Sequence, residues 1–295
     1  MSLKSAITYW IKKGSIPFFI QFILIFPQKI SAQETVKGFI YSESNQPLHF
    51  CSLVYLHQNK GTYTDSLGQF FLTNNNLSQL NDSIYISYIG YEAKKISLKT
   101  FKNGDTVFLK KQTYNLKEIQ IRPKELELLK FKNKGHSREL FSGSANSVMA
   151  YYINHNHGGY LKKVSFFLRA NSSNSYTSLR VLKKTSVYSD QTHLLDTNLL
   201  VKLKKGNRKV TFDLAKFNIK IPEDGLLVGL EFIKNPSYKE FGGKNRFSLK
   251  LNDKIKESNT YIGIPGKKWI PYPPNYEDGK ARNVLIKYEI LVEKE

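Results

Sequence analysis

Six histidines, one cysteine and a broad supply of serine and aspartate are the raw material for catalysis in this sequence of 295 residues. Their spacing decides what they can do. His155 and His157 form an HxH pair within Asn154-His155-Asn156-His157-Gly158-Gly159, and on a strand both rings would face one side, the beginning of a weak metal site. No third ligand accompanies them, so a polar turn ahead of the strand Tyr160 to Leu168 is the reading favoured for this stretch. His49, His57, His136 and His193 stand at no short helical or loop spacing, and no general-base glutamate joins them as zinc hydrolysis requires. There is no Gly-x-Ser-x-Gly elbow and no Gly-rich phosphate loop before a helix. The expectation is a protein that is not an enzyme, with no metal and no cofactor.

Binding chemistry is better represented. The stretch Gly263 to Gly279 places Trp269, Tyr272 and Tyr276 in a proline-stiffened loop between two strands. Flat aromatic rings of this kind stack on a sugar ring, with Asn275, Glu277 or Asp278 bonding its hydroxyls. Trp269, Tyr272, Asn275, Tyr276 and Asp278 are therefore the candidate ligand-binding residues. The competing reading is that the loop caps the open end of a sandwich. Asp253, Glu277 and Asp278 carry oxygen ligands suited to calcium, but nothing in their spacing fixes a geometry.

These groups sit in a strongly basic chain with a net charge of +21. Lys4, Lys12 and Lys13, an apolar run from Ile16 to Phe26 and the small pair Ser31-Ala32 follow the order of a cleavable secretory signal over residues 1–32. The apolar run is shorter than the roughly 20 residues that span a bilayer. Cys51 lies well past the cleavage region and has no intramolecular disulfide partner, so stability must come from core burial. Residues 33–122 hold 10 basic and 7 acidic side chains, whereas residues 141–295 hold 26 and 14. The excess in the second half suits anionic partners, although most of these lysines alternate with apolar residues and read as a solvated face. Export argues against nucleic acid. The expected setting is periplasmic, outer-membrane associated or secreted, with an envelope protein or polysaccharide as partner and no transmembrane segment after cleavage.

From Val36 to Arg122 the chain reads as short strands between turns: Val36 to Ser42, Phe50 to His57, Gln69 to Thr73, Ser83 to Tyr88, Ala93 to Leu98, Thr106 to Lys110 and Leu116 to Ile121. Asn45-Gln46-Pro47 suits a tight turn, and Asp65-Ser66-Leu67-Gly68 returns the chain into Phe70 with a positive φ at Gly68. Seven such strands imply a sandwich. Gly38, Pro47-Leu48, the run Gly61 to Phe70 and Ser87-Tyr88-Ile89-Gly90-Tyr91 together resemble the carboxypeptidase regulatory-like family, a transthyretin-like sandwich of exported proteins in Gram-negative bacteria. The resemblance covers roughly 90 residues, and Cys51 stands where that family often has a small residue. It implies no peptidase chemistry, because in carboxypeptidases the zinc site belongs to a separate catalytic domain. Leu116 to Ile121 also looks like the strand that joins such modules to the plug of TonB-dependent receptors.

Residues 123–140 lose the two-residue alternation and read as a linker with one helical turn from Glu125 to Lys132. Beyond them the alternation returns: Val164, Phe166 and Leu168; Leu179 and Val181; Leu199, Val201 and Leu203; Val210, Phe212 and Leu214. It continues through Leu226 to Phe232, Phe247 to Leu251 and Val284 to Val292. Half-buried antiparallel strands of this number need a second sheet to cover them. The expected whole is all-β, a seven-stranded sandwich over residues 33–122 followed by a larger jelly-roll-like antiparallel sandwich over residues 141–295. Two functions suit it: binding or scaffolding in the envelope, with glycan held by the second domain, or an accessory role in TonB-dependent nutrient uptake through protein docking.

Overall fold

The computed structural model describes residues 34–58, 60–74, 82–112, 125–133, 140–154, 158–189, 192–234, 247–252, 255, 257–272 and 281–294. The expected signal, the strand Leu116 to Ile121 and the HxH pair lie outside them. Among the described residues no helix is long and apolar enough to cross a membrane.

The first module is built from β1 (Glu34–Ser42), β2 (Ser52–Tyr55), β3 (Gly61–Tyr63), β4 (Gln69–Asn74), β5 (Ser83–Ser87), β6 (Lys94–Ser97) and β7 (Thr106–Leu109). One sheet has the order β4-β1-β7 and the other β3-β2-β5-β6. β1 runs antiparallel to β4 and parallel to β7. Alternate residues turn inward, so Ile40, Leu53, Phe70, Leu72, Ile84, Ile86 and Leu109 close one core. Cys51 lies fully inside it, its thiol donating to the Ser87 carbonyl at 3.4 Å.

Both expected turns are present. Asn45 takes φ +59°, and its N–H donates to the Ser42 carbonyl at 2.9 Å. Asp65 Oδ1 accepts from the N–H groups of Leu67 and Gln69, each at 2.9 Å, while Gly68 takes φ +74°. A Cβ on Gly68 would stand 2.6 Å from the Ile40 carbonyl oxygen, so both backbone conformation and space call for glycine.

The second module is an antiparallel two-sheet sandwich. Its six-stranded sheet contains β10 (Val148–Ile153), β12 (Tyr176–Lys183), β13 (Leu200–Lys202), β16 (Leu226–Ile233), β18 (Thr260–Gly263) and β19 (Ile270–Pro271), in the order β13-β12-β16-β10-β18-β19. The facing eight-stranded sheet contains β8 (Leu126–Lys132), β9 (Leu140–Phe141), β11 (Tyr160–Ala170), β14 (Gly206–Asp213), β15 (Ile219–Lys220), β17 (Phe247–Asn252), β20 (Asn283–Val284) and β21 (Ile286–Glu293). Its main path is β20-β17-β11-β21-β8, with β14 and β15 also on β11 and β9 on β17. Val164, Phe166, Leu168, Leu179, Val181, Val228, Leu230, Leu249 and Ile290 fill the space between the sheets, as the alternation requires.

Two expectations are corrected. Residues 126–132, read as linker with a helical turn, form strand β8 and pair in full register with β21, from Leu126 opposite Glu293 to Lys132 opposite Lys287. Leu129 and Phe131 turn into the core, Phe131 stacking on Tyr288 at 4.9 Å. The strands of the second module are also not all half-buried. Every residue of β16 is buried, because the first module and the segment around Tyr188 cover the outer face of the six-stranded sheet. That double coverage removes the alternation from β10, which reads Val-Met-Ala-Tyr-Tyr-Ile and is invisible to a period-two search.

Candidate ligand-binding surfaces

The chain after β18 is pinned on two sides. The Gly266 N–H donates to the Tyr188 carbonyl at 2.9 Å, the Tyr188 N–H to Lys267 at 2.8 Å and the Trp269 N–H to Ser186 at 3.1 Å. Lys267 reaches across to the first module, where its Nζ donates to the Gln58 carbonyl at 2.8 Å. Burial lowers the Lys267 pKa from its ordinary value, and Asp82 opposes that shift.

The two described members of the expected platform part company. Trp269 stacks on Tyr188 at 5.0 Å with 16° between the planes, on the outer face of the six-stranded sheet. Its indole lies so close over Gly263 that a Cβ there would be 2.4 Å from the ring. Tyr272 instead meets Phe141 edge-on at 5.4 Å and packs against the main core between the sheets. The pairing of β18 with β19 thus sends the two rings to opposite sides of the sheet. Asn275, Tyr276 and Asp278 lie outside the described residues.

The outer face gathers a different set around Trp269. Tyr152 from β10 and Tyr261 from β18 meet edge-to-face at 6.4 Å, and Lys184 places its ammonium 3.8 Å from the Tyr152 ring centroid and 5.4 Å from that of Tyr261. The Tyr152 hydroxyl is fixed on the Asp224 carbonyl at 2.9 Å. All four of these side chains are half-buried, so they offer rims of aromatic surface beside one cation. Lys184 follows β12 and Tyr152 follows Tyr151 in a doubly buried strand; neither position has a spacing signal in the sequence.

A second aromatic face lies on the first module. Phe39 and Tyr41 project from β1, Phe71 from β4 and Phe108 from β7, with Phe39 to Tyr41 and Tyr41 to Phe108 each at 6.4 Å. Phe71 is 53% exposed and Phe108 40%. The alternation in Lys37-Gly38-Phe39-Ile40-Tyr41 carries this signal, but with apolar residues on both faces it does not say which face is the core.

Between the modules lies a buried polar seam. Arg180 of β12 pairs with Glu231 of β16, and the Tyr63 hydroxyl of β3 donates to Glu231 Oε1 at 3.0 Å, with the Phe232 carbonyl 3.3 Å away sharing the same proton. Arg180 Nη1 also donates to Ser178 Oγ at 3.1 Å. Burial first, then the Glu231 charge, hold the Tyr63 pKa well above its ordinary value. Asn146 Nδ2 donates to Ser52 Oγ at 2.6 Å and to the Thr62 carbonyl at 3.1 Å. Phe50, at φ +60°, is packed with Tyr63, Ile233 and Tyr176. A bulky residue in this conformation costs about 1–3 kcal/mol and persists only where its surroundings hold it. Among the described residues no three His, Cys, Asp or Glu side chains come together as a metal-binding group.

A three-stranded sheet packed on a four-stranded one, with its turns closed by Asp65 and Gly68, defines the first module as a β-sandwich. It is a CarboxypepD_reg-like domain, the family model matching residues 36–121. No curated protein matches the chain. Among solved structures it is similar to the cysteine protease and lectin-like domains of Cwp84, a surface-layer-associated protein of Clostridium difficile, at 10% identity and TM-score 0.37 over 83% of this chain and 59% of that one. A streptococcal ancillary pilin shares 12% identity at TM-score 0.22, over 81% and 63%. Infectious bursal disease virus, Gx strain, shares 10% at TM-score 0.27, over 91% and 58%. The chain spans about six tenths of the length of these structures, and likenesses this low carry no weight for activity.

Proposed function

We propose that this is a non-enzymatic extracytoplasmic binding or scaffolding protein of a bacterial envelope, whose second sandwich binds glycan on the outer face of its six-stranded sheet. The observation that supports this reading is the convergence of Tyr152, Tyr261, Trp269 and Lys184 on one rigid face. Aromatic rims supply stacking surface, and the ammonium suits an acidic sugar. The ligand surface is thus shifted from the loop beyond Tyr272 to the sheet beneath Trp269. A glycan array followed by calorimetric titration tests it. Tyr261→Ala is expected to weaken binding of a glycan hit by roughly 1–3 kcal/mol with an unchanged melting temperature; a hit bound as tightly by Tyr261→Ala and Lys184→Glu as by the parent sinks the reading.

The accessory role in TonB-dependent uptake is favoured by a separate observation, the exposed Phe71 and Phe108 on the first module. An aromatic strip of this kind suits docking on an envelope protein. Cross-linked pull-down from outer-membrane extracts, with and without Phe71→Glu and Phe108→Glu, separates it from glycan binding.

A further inference from the structure

The free edge of β8 carries an inference independent of both aromatic faces. The pairing of β8 with β21 is antiparallel, with the Lys294 N–H donating to the Glu125 carbonyl and the Asn133 N–H to Ile286. In such a ladder hydrogen-bonded and non-hydrogen-bonded pairs alternate. Glu127, Leu129 and Phe131 therefore turn their main-chain groups to β21, and Leu126, Leu128, Lys130 and Lys132 turn theirs to the open side. Among the described residues nothing pairs with that side, since β8 ends its sheet. The same four residues present their side chains on the outer face, where Leu126 is 46% exposed and Leu128 44%.

Edges are ordinarily blunted by shortness, lysine or other charged side chains, proline or a bulge, and of these β8 has lysines at one end alone, Lys130 and Lys132. β8 has seven residues, an unbroken register and no proline. Its charge is also lopsided. Lys132 stands directly opposite Lys287, and Glu289, opposite Lys130, is drawn to Lys163 at 3.1 Å. Like charges across a non-hydrogen-bonded pair repel, and on its outer face β8 presents a basic end at Lys130 and Lys132 and an apolar end at Leu126 and Leu128, with Glu127 turned to the other face.

We propose that β8 is a strand-addition site for an extended segment of another protein, with apolar side chains beside Leu126 and Leu128 and acidic ones beside Lys130 and Lys132. Main-chain hydrogen bonds to the four outward residues supply affinity, and the apolar and acidic positions supply register. A second copy of this chain is the poorer occupant, because its second module carries the same excess of 26 basic over 14 acidic side chains.

The test uses the whole protein and the capped octapeptide Glu-Thr-Glu-Thr-Val-Thr-Val-Thr, with a version carrying lysine for glutamate as control. Binding is read by fluorescence anisotropy and by amide exchange. The glutamate peptide is expected to bind saturably, at least about tenfold more tightly than the lysine peptide, and to slow exchange at Leu126, Leu128, Lys130 and Lys132. Leu128→Pro removes one outward N–H without touching the ladder to β21 and is tolerated at an edge, so it should abolish binding with the fold intact. Should that variant fail to fold, the double change Lys130→Glu and Lys132→Glu leaves the main chain as it is and should reverse the preference between the peptides. The proposal is overturned by absence of saturable binding, by equal binding of the two peptides, by binding that survives Leu128→Pro, or by self-association that Leu128→Pro abolishes.

Discussion

Arg180 and Glu231 are charged residues on strands whose inner-facing neighbours, Leu179, Val181 and Leu230, fit the core of one sandwich. The alternation assigns them to solvent, and it is right about which face they occupy. What it leaves out is that a second module covers that face. Removing one partner of a buried pair leaves the other charge unpaired, which costs about 3–5 kcal/mol. Arg180→Met is therefore expected to destabilise by about that amount in denaturant unfolding, and Tyr63→Phe, which loses a hydrogen bond to a charged group, by about 1.5–3 kcal/mol. Two tyrosines, Tyr63 buried in the seam and Tyr288 half-buried in the second module, also make stability sensitive to alkali. The Tyr63 pKa is raised by burial and by Glu231, and that of Tyr288 is raised to about 12 by burial and Tyr151. The unfolded chain loses these protons near its ordinary value of 10, while the native state keeps them. Stability is therefore full below pH 10 and falls as pH rises from there toward 12 and beyond. Melting temperatures measured from pH 8 to 12 should show this decline, and it should be shallower in Tyr63→Phe.

At the scale of elements, turn chemistry is the most legible feature of the chain. Asp65 and Gly68 announce their roles by type and spacing, because only an acceptor at Asp65 and a left-handed residue at Gly68 close that turn. Gly68→Val is expected to cost on the order of 1–3 kcal/mol through backbone strain, seen as a lowered midpoint of unfolding with an unchanged slope; an unaltered midpoint would mean that the turn tolerates a side chain. The strands without a clear signal lack it for separate physical reasons. β10 is covered on both faces and loses its period, and β3 is only three residues long. β8 places Leu128 and Leu129 side by side, one facing solvent and one facing the core, which obscures the alternation of a strand. The aromatic set around Lys184 was illegible for a different reason. Its members are brought together by pairing across β10 and β18 and by the crossing of the chain near Tyr188, and neither leaves a mark in local spacing.

For the whole molecule, the seam is expected to make the two sandwiches unfold as one unit. Gly90, at φ +82°, lies so near the second module that a Cβ would stand 2.2 Å from the Asp196 carbonyl oxygen. Gly90→Val should hold the modules apart as well as strain the turn. Scanning calorimetry of the parent is expected to show one transition, and that of Gly90→Val two, the earlier belonging to whichever module loses most from an exposed seam. A single transition in both would place the coupling elsewhere.

Cys51 gives this architecture a clock. Its sulfur has no exposure in the native fold, so a thiol reagent can reach it only when the first module opens. The rate of labelling at saturating reagent then measures opening itself, and at low reagent the equilibrium between closed and open states. Because the seam ties that opening to the second module, Arg180→Met, a change nowhere near the thiol in sequence, should accelerate its modification.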